Sequence, residues 1–227
     1  MEWYFVGVDL GQSQDFTAIA ILERKEEAGD WDPVMFAWKK KVSLQLRHAE
    51  RLPLGTPYPE VAERVAQVTR SNLLAGRCHL AVDATGVGKP VVDLLRMAQP
   101  RCTMLPAVIT AGERETLGNG VYSVPKRDLI THLQVLLQCR ALKIAAGVKE
   151  CATLLEEMRN MRVKISASGK EQYGPWREGR HDDLVLAVAL ACWAARKVYP
   201  RPALGEEQWH RSRYVWDTER LLRKVLG

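Results

Sequence analysis

The sequence lacks any paired cysteine motif. It has five cysteines, they are far apart along the chain, and none occurs in a Cys-x-x-Cys arrangement. Neither a zinc site nor a disulfide framework is therefore indicated, and a reducing compartment is the expected setting. The five residues are Cys78, Cys102, Cys139, Cys151 and Cys192.

Long hydrophobic runs are also missing. The longest one, residues 184–195, is well short of the ~20 residues that a membrane-spanning helix needs. The first residues contain no basic segment ahead of an apolar stretch, so they do not read as a secretory signal. We therefore expect no membrane partner, and we interpret residues 184–195 as part of a buried helix.

The balance of charge is mildly basic. Lys and Arg number 33 against 27 Asp and Glu, which gives a formal net charge of +6 and an isoelectric point near 9.1. This excess favours a polyanionic partner, although a solvated basic surface would produce the same composition. With 227 residues and 47% hydrophobic content, the chain can bury the core of one generous domain.

The hydrophobic pattern predicts strands followed by alternating helices, which indicates an α/β or α+β layered domain over residues 1–198. Three consecutive lysines (39–41) suggest that the third strand lies at an exposed edge. The remaining residues, 199–227, are aromatic and mostly polar, and are predicted to dock on the core or on another protein. The predicted strands are 4–9, 16–22, 34–46, 79–83, 103–109 and 141–145, the helices 60–75, one entered near Pro90, 126–138, 149–161 and 181–198, and a hairpin 162–178 turning near Gly169.

Acidic residues stand at three separate element ends. Asp9 and Asp83 each close an apolar strand, and Asp182 and Asp183 open a helix that is otherwise almost entirely apolar. Neighbouring strands lie about 4.8 Å apart, and ligand sites in open α/β sheets lie beyond the carboxyl ends of such strands. We therefore expect these carboxylates to meet at one edge of the sheet and to share a cation.

Converging carboxylates repel one another, and a divalent cation removes that penalty. Ligands that offer only oxygen suit Mg²⁺ or Mn²⁺, and two such ions can drive hydrolysis of a phosphodiester. Taken singly, a strand-end aspartate is more often a turn former, and an aspartate at a helix start can simply favour the positive end of the helix. Three acidic sites in the expected order make a shared metal centre the better interpretation.

Two polar residues near these ends are predicted to support the site without being its main ligands. Asp15 lies in the turn after the first strand, and His181 directly precedes the last helix. A turn former and a solvated flank are the simpler interpretations of these two residues. Asp182 and Asp183 point about 100° apart on a helix, and we prefer Asp183 as the main ligand.

The segment Gly86-Val87-Gly88-Lys89 invites comparison with a phosphate-binding loop. In that loop Ser or Thr follows the lysine, but here Pro90 follows it, and Asp83 stands where the leading glycine belongs. The cradle for phosphates and the hydroxyl for magnesium are both missing, so we reject an ATP-binding role.

Three stretches, 6–22, 79–95 and 179–196, together resemble the nuclease domain of the large terminase subunit of tailed bacteriophages, a member of the ribonuclease H-like superfamily. The likeness extends over residues 4–198, and the stretch 123–145 also resembles that family. It implies a central mixed β-sheet flanked by helices on both faces. It also implies two-metal cleavage of double-stranded DNA with Mg²⁺ or Mn²⁺, during packaging of concatemeric phage DNA in the bacterial host cytoplasm.

The resemblance also carries residue roles. It implies that Asp9, Asp83, Asp182 and Asp183 are the catalytic and metal-binding acids of a DNA endonuclease. The hairpin ahead of the third acidic motif contacts DNA in the family, and phosphate contacts position DNA without reading its sequence. Lys89 and Lys170 could equally be plain surface lysines. The basic residues that we expect to contact DNA are Lys89, Arg162, Lys164, Lys170 and Arg177.

Family members carry a packaging ATPase ahead of the nuclease, and we expect none in this chain. Three explanations are compatible with a nuclease that lacks the ATPase. The chain is an excised domain, or it works with a separate ATPase, small terminase or portal protein, or it is a relative used in other DNA processing. The rival functions are a Holliday-junction resolvase, a relative that binds DNA without cutting it, and, least favoured because of chain length, a sugar-kinase or actin-like ATPase.

Overall fold

Strands and helices alternate through the part of the chain that the computed structural model describes, which is residues 2–11, 15–86, 88–165, 171–175 and 181–199. This order confirms the predicted α/β class. The strands are β1 (Trp3–Asp9), β2 (Ala18–Asp32), β3 (Ala37–Arg51), β4 (Cys78–Asp83), β5 (Thr103–Thr110), β6 (Thr116–Gly118), β7 (Val121–Pro125), β8 (Leu142–Ile144), β9 (Met161–Ile165) and β10 (Glu171–Pro175). The helices are α1 (Tyr58–Arg70), α2 (Gly88–Met97), α3 (Lys126–Gln138), α4 (Cys151–Asn160) and α5 (Asp183–Val198).

Eight of these strands form one mixed sheet in the order β6-β7-β5-β4-β1-β2-β3-β8. Strand β1 pairs in parallel with β4 and antiparallel with β2, and β4, β5 and β7 are parallel to one another. Strand β1 is central and buried on both sides, which explains its nearly continuous apolar sequence. Because β1 and β4 are parallel, their carboxyl ends lie at the same edge of the sheet.

Helices cover both faces of the sheet, as predicted. Side chains alternate along β1, so Phe5 packs in the core beneath α3, α4 and α5, whereas Val6 and Val8 pack with α1 and α2. Helix α5 is apolar nearly all round, and its residues from Asp183 to Ala195 are buried. It therefore lies in the core as the element packed directly on the central strand.

Gly7 sets the distance between β1 and α5. A Cβ atom at this position would lie 1.9 Å from the carbonyl oxygen of Ala187 and 2.7 Å from the amide nitrogen of Ala191. The two alanines are four residues apart and therefore lie on one face of the helix. The backbones of strand and helix are thus in direct contact two residues before Asp9 and one helical turn after Asp183.

Several predicted boundaries were wrong. Strands β2 and β3 form one long hairpin turning at residues 33–36, because Asp32 accepts hydrogen bonds from the amides of Val34 and Met35 and ends β2 there. Strand β3 is not the sheet edge over residues 44–46, where β8 pairs with it. The short β6 and β7 were missed, since neither has a clear hydrophobic period.

Strands β9 and β10 pair as the predicted antiparallel hairpin, and the turn near Gly169 lies outside the described residues. All five cysteines are free thiols. None of the helices among the described residues combines the length and apolarity needed to cross a bilayer. Residues 200–227, nearly the whole predicted docking tail, lie outside the described part of the chain.

We expect Gly7→Ala to destabilise the protein by about 3 kcal/mol, because the new methyl group meets backbone atoms that cannot move aside without shifting α5. The matched control is Gly118→Ala in β6, where an added Cβ meets no atom within 4 Å. Urea unfolding of both variants measures the difference. Equal stabilities would contradict the close packing described for Gly7.

Candidate metal centre

Asp9 and Asp83 lie side by side at the ends of β1 and β4. Val8 pairs with Val82 across these strands, and each aspartate is the next and last residue of its strand. Both side chains are buried. Burial, followed by the charges of Asp83 and Asp183, raises the pKa of Asp9 well above its usual value. The two carboxylates therefore belong to one electrostatically coupled group.

Thr85 holds the carboxylate of Asp83 in place. Its backbone N–H donates to Oδ1 of Asp83 at 2.8 Å, and its hydroxyl donates a short hydrogen bond to the same oxygen. That hydroxyl in turn accepts a hydrogen bond of 2.7 Å from the amide of Ile109, at the end of β5. The turn after β4 thus orients Asp83 through a chain of contacts reaching the next parallel strand.

The start of α5 brings the third acidic site to the same edge. Asp183 is the first residue of the helix and is 5% exposed, and Asp182 precedes it. Burial raises the pKa of Asp183 to about 6, although the nearby charges of Arg51 and His181 oppose the rise. The Oδ2 atom of Asp183 is buried and has no hydrogen-bond partner among the described residues. Such an atom suits a cation.

Asp182 has a different environment from Asp183. Its Oδ2 atom accepts a hydrogen bond of 2.7 Å from Nζ of Lys126, the first residue of α3. Asp182 is also less buried than Asp183. Oδ2 of Asp182 therefore accepts a hydrogen bond from a lysine, whereas the buried Oδ2 of Asp183 accepts none among the described residues.

Arg51 and Glu157 also lie at the site, and neither residue was predicted from the sequence. Arg51 ends β3 and forms ion pairs with Glu157 on α4 and with Asp183, the latter at 3.3 Å. Burial raises the pKa of Glu157 to about 8, although the Val185 amide and Arg51 oppose the rise. A charged residue at the end of an apolar strand was the only sequence signal for Arg51, and Glu157 had none.

The two predicted supporting residues lie beside Asp183. Nδ1 of His181 is 3.7 Å from a carboxylate oxygen of Asp15 and 3.7 Å from Oδ2 of Asp183. One possible ligand atom from each of the three residues lies within 4.8 Å of the other two. The His181 ring packs edge-on against Phe16, with 5.1 Å between the ring centroids. Asp15 is exposed, so this side of the site faces solvent.

The structure thus brings the acids of all three motifs to one edge of the sheet, with Asp15 and His181 next to them. Oxygen atoms dominate this donor set, and the charges of Asp83 and Asp183 add to the effect of burial in raising the pKa of Asp9, so a hard divalent cation fits the group. The side chains of the predicted DNA-contacting residues lie outside the described part of the structure. These residues are Lys89, Arg162, Lys164, Lys170 and Arg177.

Comparison with known proteins adds a family match. The family model described as "Terminase RNaseH-like domain" matches residues 55–195. The terminase large subunit of Thermus phage G20c is 24% identical over 188 residues, which cover 83% of this chain and 31% of that protein. The chain therefore spans about a third of the length of the curated relatives that it matches.

Solved structures show the same fold. The large terminase nuclease of phage G20c has a TM-score of 0.55 at 21% identity, and covers 84% of this chain and 81% of its own. A mutant nuclease domain of the large terminase subunit of bacterial virus Sf6, solved with manganese and beta-thujaplicinol, has a TM-score of 0.59 at 13% identity. That match covers 84% of this chain and 87% of the Sf6 chain.

We expect Mn²⁺ to stabilise the protein more strongly at about pH 7.5 than at about pH 5. The raised pKa values of Asp9 and Asp183, the latter about 6, mean that a cation must displace protons at the lower pH. Without metal, the stability of the protein should instead fall between these two pH values. Carboxyl groups with raised pKa contribute stability that is lost as the pH rises through those pKa values. The shift in Tm at a fixed Mn²⁺ concentration measures the effect. Asp183→Asn should reduce the Mn²⁺-induced rise in Tm at both pH values. A rise in wild-type Tm that is the same at both pH values would contradict the prediction.

Thr85→Val should weaken Mn²⁺ binding by about tenfold, because the hydroxyl that orients Asp83 is lost while the size of the side chain is kept. Thr85→Ser keeps the hydroxyl and should bind Mn²⁺ nearly as wild type does. Isothermal titration calorimetry of the two variants gives the comparison. Equal affinities in the Val and Ser variants would show that Thr85 does not orient a ligand.

Proposed function

Because the chain belongs to the terminase RNase H-like domain family, we propose that it is a metal-dependent endonuclease that cuts double-stranded DNA. The observation that carries this proposal is the convergence of buried acids from β1, β4 and the start of α5 at one sheet edge. A fold that buries mutually repelling carboxylates pays for them in stability, and a bound divalent cation would remove that cost.

The proposed metal ligands are Asp9, Asp83 and Asp183, and the proposed cation is Mg²⁺ or Mn²⁺. Manganese in the Sf6 nuclease domain supports this choice. Two such ions, when bound, supply an activated water and stabilise the leaving oxygen of the phosphodiester. Asp183 is the main ligand of its pair, because Asp182 already has Lys126 as its partner whereas Oδ2 of Asp183 is buried without a hydrogen bond among the described residues.

The protein's own groups have distinct tasks in this scheme. Thr85 fixes the direction of the Asp83 carboxylate through its N–H and hydroxyl. Lys126 holds Asp182 and offsets part of the negative charge that acts on Asp9. His181 lies on the solvent side and orients a water or a phosphate oxygen beside Asp183, with Asp15 as its second contact.

The proposed substrate is DNA during genome packaging, as the names of the relatives suggest. A net charge of +6 suits a polyanion. Phosphate contacts come from Lys89 and from the basic residues of the β9–β10 region, namely Arg162, Lys164, Lys170 and Arg177. The proposed partner is a packaging ATPase, a small terminase or a portal protein in the host cytoplasm. The proposed nuclease domain is residues 1–198, and residues 199–227 are the proposed docking segment. The family model favours this function over that of a junction resolvase.

Asp83→Asn should lower DNA cleavage in Mn²⁺ by at least about 100-fold, because the variant loses a charged ligand while the shape of the side chain is kept. The matched control is Asp93→Asn, a half-buried residue on α2 whose carboxylate pairs with Arg96 at 3.0 Å. It should cut at the wild-type rate. Conversion of supercoiled plasmid to nicked and linear forms, with metal or with chelator, is the measurement.

Cleavage that persists in Asp83→Asn would indicate contamination or a different site. Metal binding without cleavage by wild-type protein would favour a DNA-binding relative, or a nuclease that depends on a packaging partner.

A further inference from the structure

Arg51 lies between two buried carboxylates from different helices. Strand pairing places it at the edge of the sheet where the acids converge, because Arg51 pairs with Ala18 and Ala18 pairs with Asp9. Its guanidinium lies over the ring of Phe16, with Cζ 4.8 Å from the ring centroid. From this position Nη2 reaches Glu157 on α4 and Asp183 on α5. A single guanidinium is therefore shared by two carboxyl groups.

The two contacts of Arg51 are unequal. Glu157 accepts a short hydrogen bond from Nη2, whereas Oδ2 of Asp183 lies 3.3 Å from that nitrogen and has no hydrogen-bond partner among the described residues. Glu157 is itself anchored, because its second oxygen accepts a 3.0 Å hydrogen bond from the backbone amide of Val185 in the first turn of α5. Helix α4 thus supplies a carboxyl group that is fixed to α5 and holds the guanidinium on its own side.

An arginine that has no other partner commonly forms two parallel hydrogen bonds with one carboxylate. If Arg51 did so with Asp183, it would compete with a divalent cation for the same oxygens. We propose that Glu157 is a positioning residue that holds Arg51 away from full pairing with Asp183 and so leaves Oδ2 of Asp183 available to the metal. This inference rests on the proposed function, since it takes Asp183 to be a metal ligand.

Glu157→Gln tests this role directly. The substitution keeps an oxygen that can accept the hydrogen bond of the Val185 amide, but an NH2 group replaces the oxygen that accepts from Nη2 of Arg51. We expect Mn²⁺ affinity, measured by calorimetry, to fall at least about tenfold, because Arg51 then pairs with Asp183 and competes with the metal for its oxygens. Adding Arg51→Met to this variant should return the affinity to within about threefold of wild type, since the competing cation is gone.

Two further variants separate positioning from a purely structural role. Glu23 is another buried glutamate that pairs with an arginine, Arg47, and it lies on β2 beside Tyr4, far from the acids. Glu23→Gln should therefore leave Mn²⁺ affinity unchanged, whatever it does to Tm. Arg51→Met alone should bind Mn²⁺ at least as tightly as wild type, and this comparison holds even if Glu157→Gln folds poorly.

The outcomes are distinct. Wild-type protein that binds no Mn²⁺ would overturn the proposed function, and the inference with it. Wild-type binding with unchanged affinity in Glu157→Gln would overturn the inference alone. Two other results would also overturn the inference alone. One is a double variant that binds Mn²⁺ no more tightly than Glu157→Gln does, and the other is weaker Mn²⁺ binding in Arg51→Met than in wild type. Either result would mean that Arg51 does not compete with the metal. Loss of affinity in Glu157→Gln with recovery in the double variant would support it.

Discussion

The contact between β1 and α5 at Gly7 is the constraint on which the rest of the site depends. The absence of a side chain lets the backbone of the central strand touch the backbone of the helix at Ala187 and Ala191. Asp9 lies two residues beyond this contact on the strand, and Asp183 lies one turn before it on the helix. A larger residue at position 7 would separate these two acids by moving the helix as a whole.

The second constraint is electrostatic. Asp9, Asp83 and Asp183 are buried within one group, and burial makes each charge costly unless a cation is near. Among the described residues, Lys126 and Arg51 bring positive charge to these acids, and each comes from an element that the acids do not occupy. These partners offset only part of the negative charge. The remainder is the physical basis for proposing a divalent metal.

Much of the fold was predictable from sequence because its signals are local. The apolar run of β1 ends at Asp9, the run of β4 ends at Asp83, and the helix of residues 181–198 was recognised by its uninterrupted apolar residues. The boundaries of β2 and β3 were not predictable in this way. Charged residues interrupt their hydrophobic pattern, and the turn at residues 33–36 depends on side-chain hydrogen bonds of Asp32.

The carboxylates of the candidate site could be identified from the sequence, because each one ends or opens a local apolar run. Their charged neighbours could not, because these come from distant segments of the chain. Arg51 and Glu157 are 106 residues apart in the chain, and Lys126 and Asp182 are 56 apart, so no local pattern links either pair. Such contacts arise from packing β3, α3 and α4 around α5, and packing over these separations depends on the whole core.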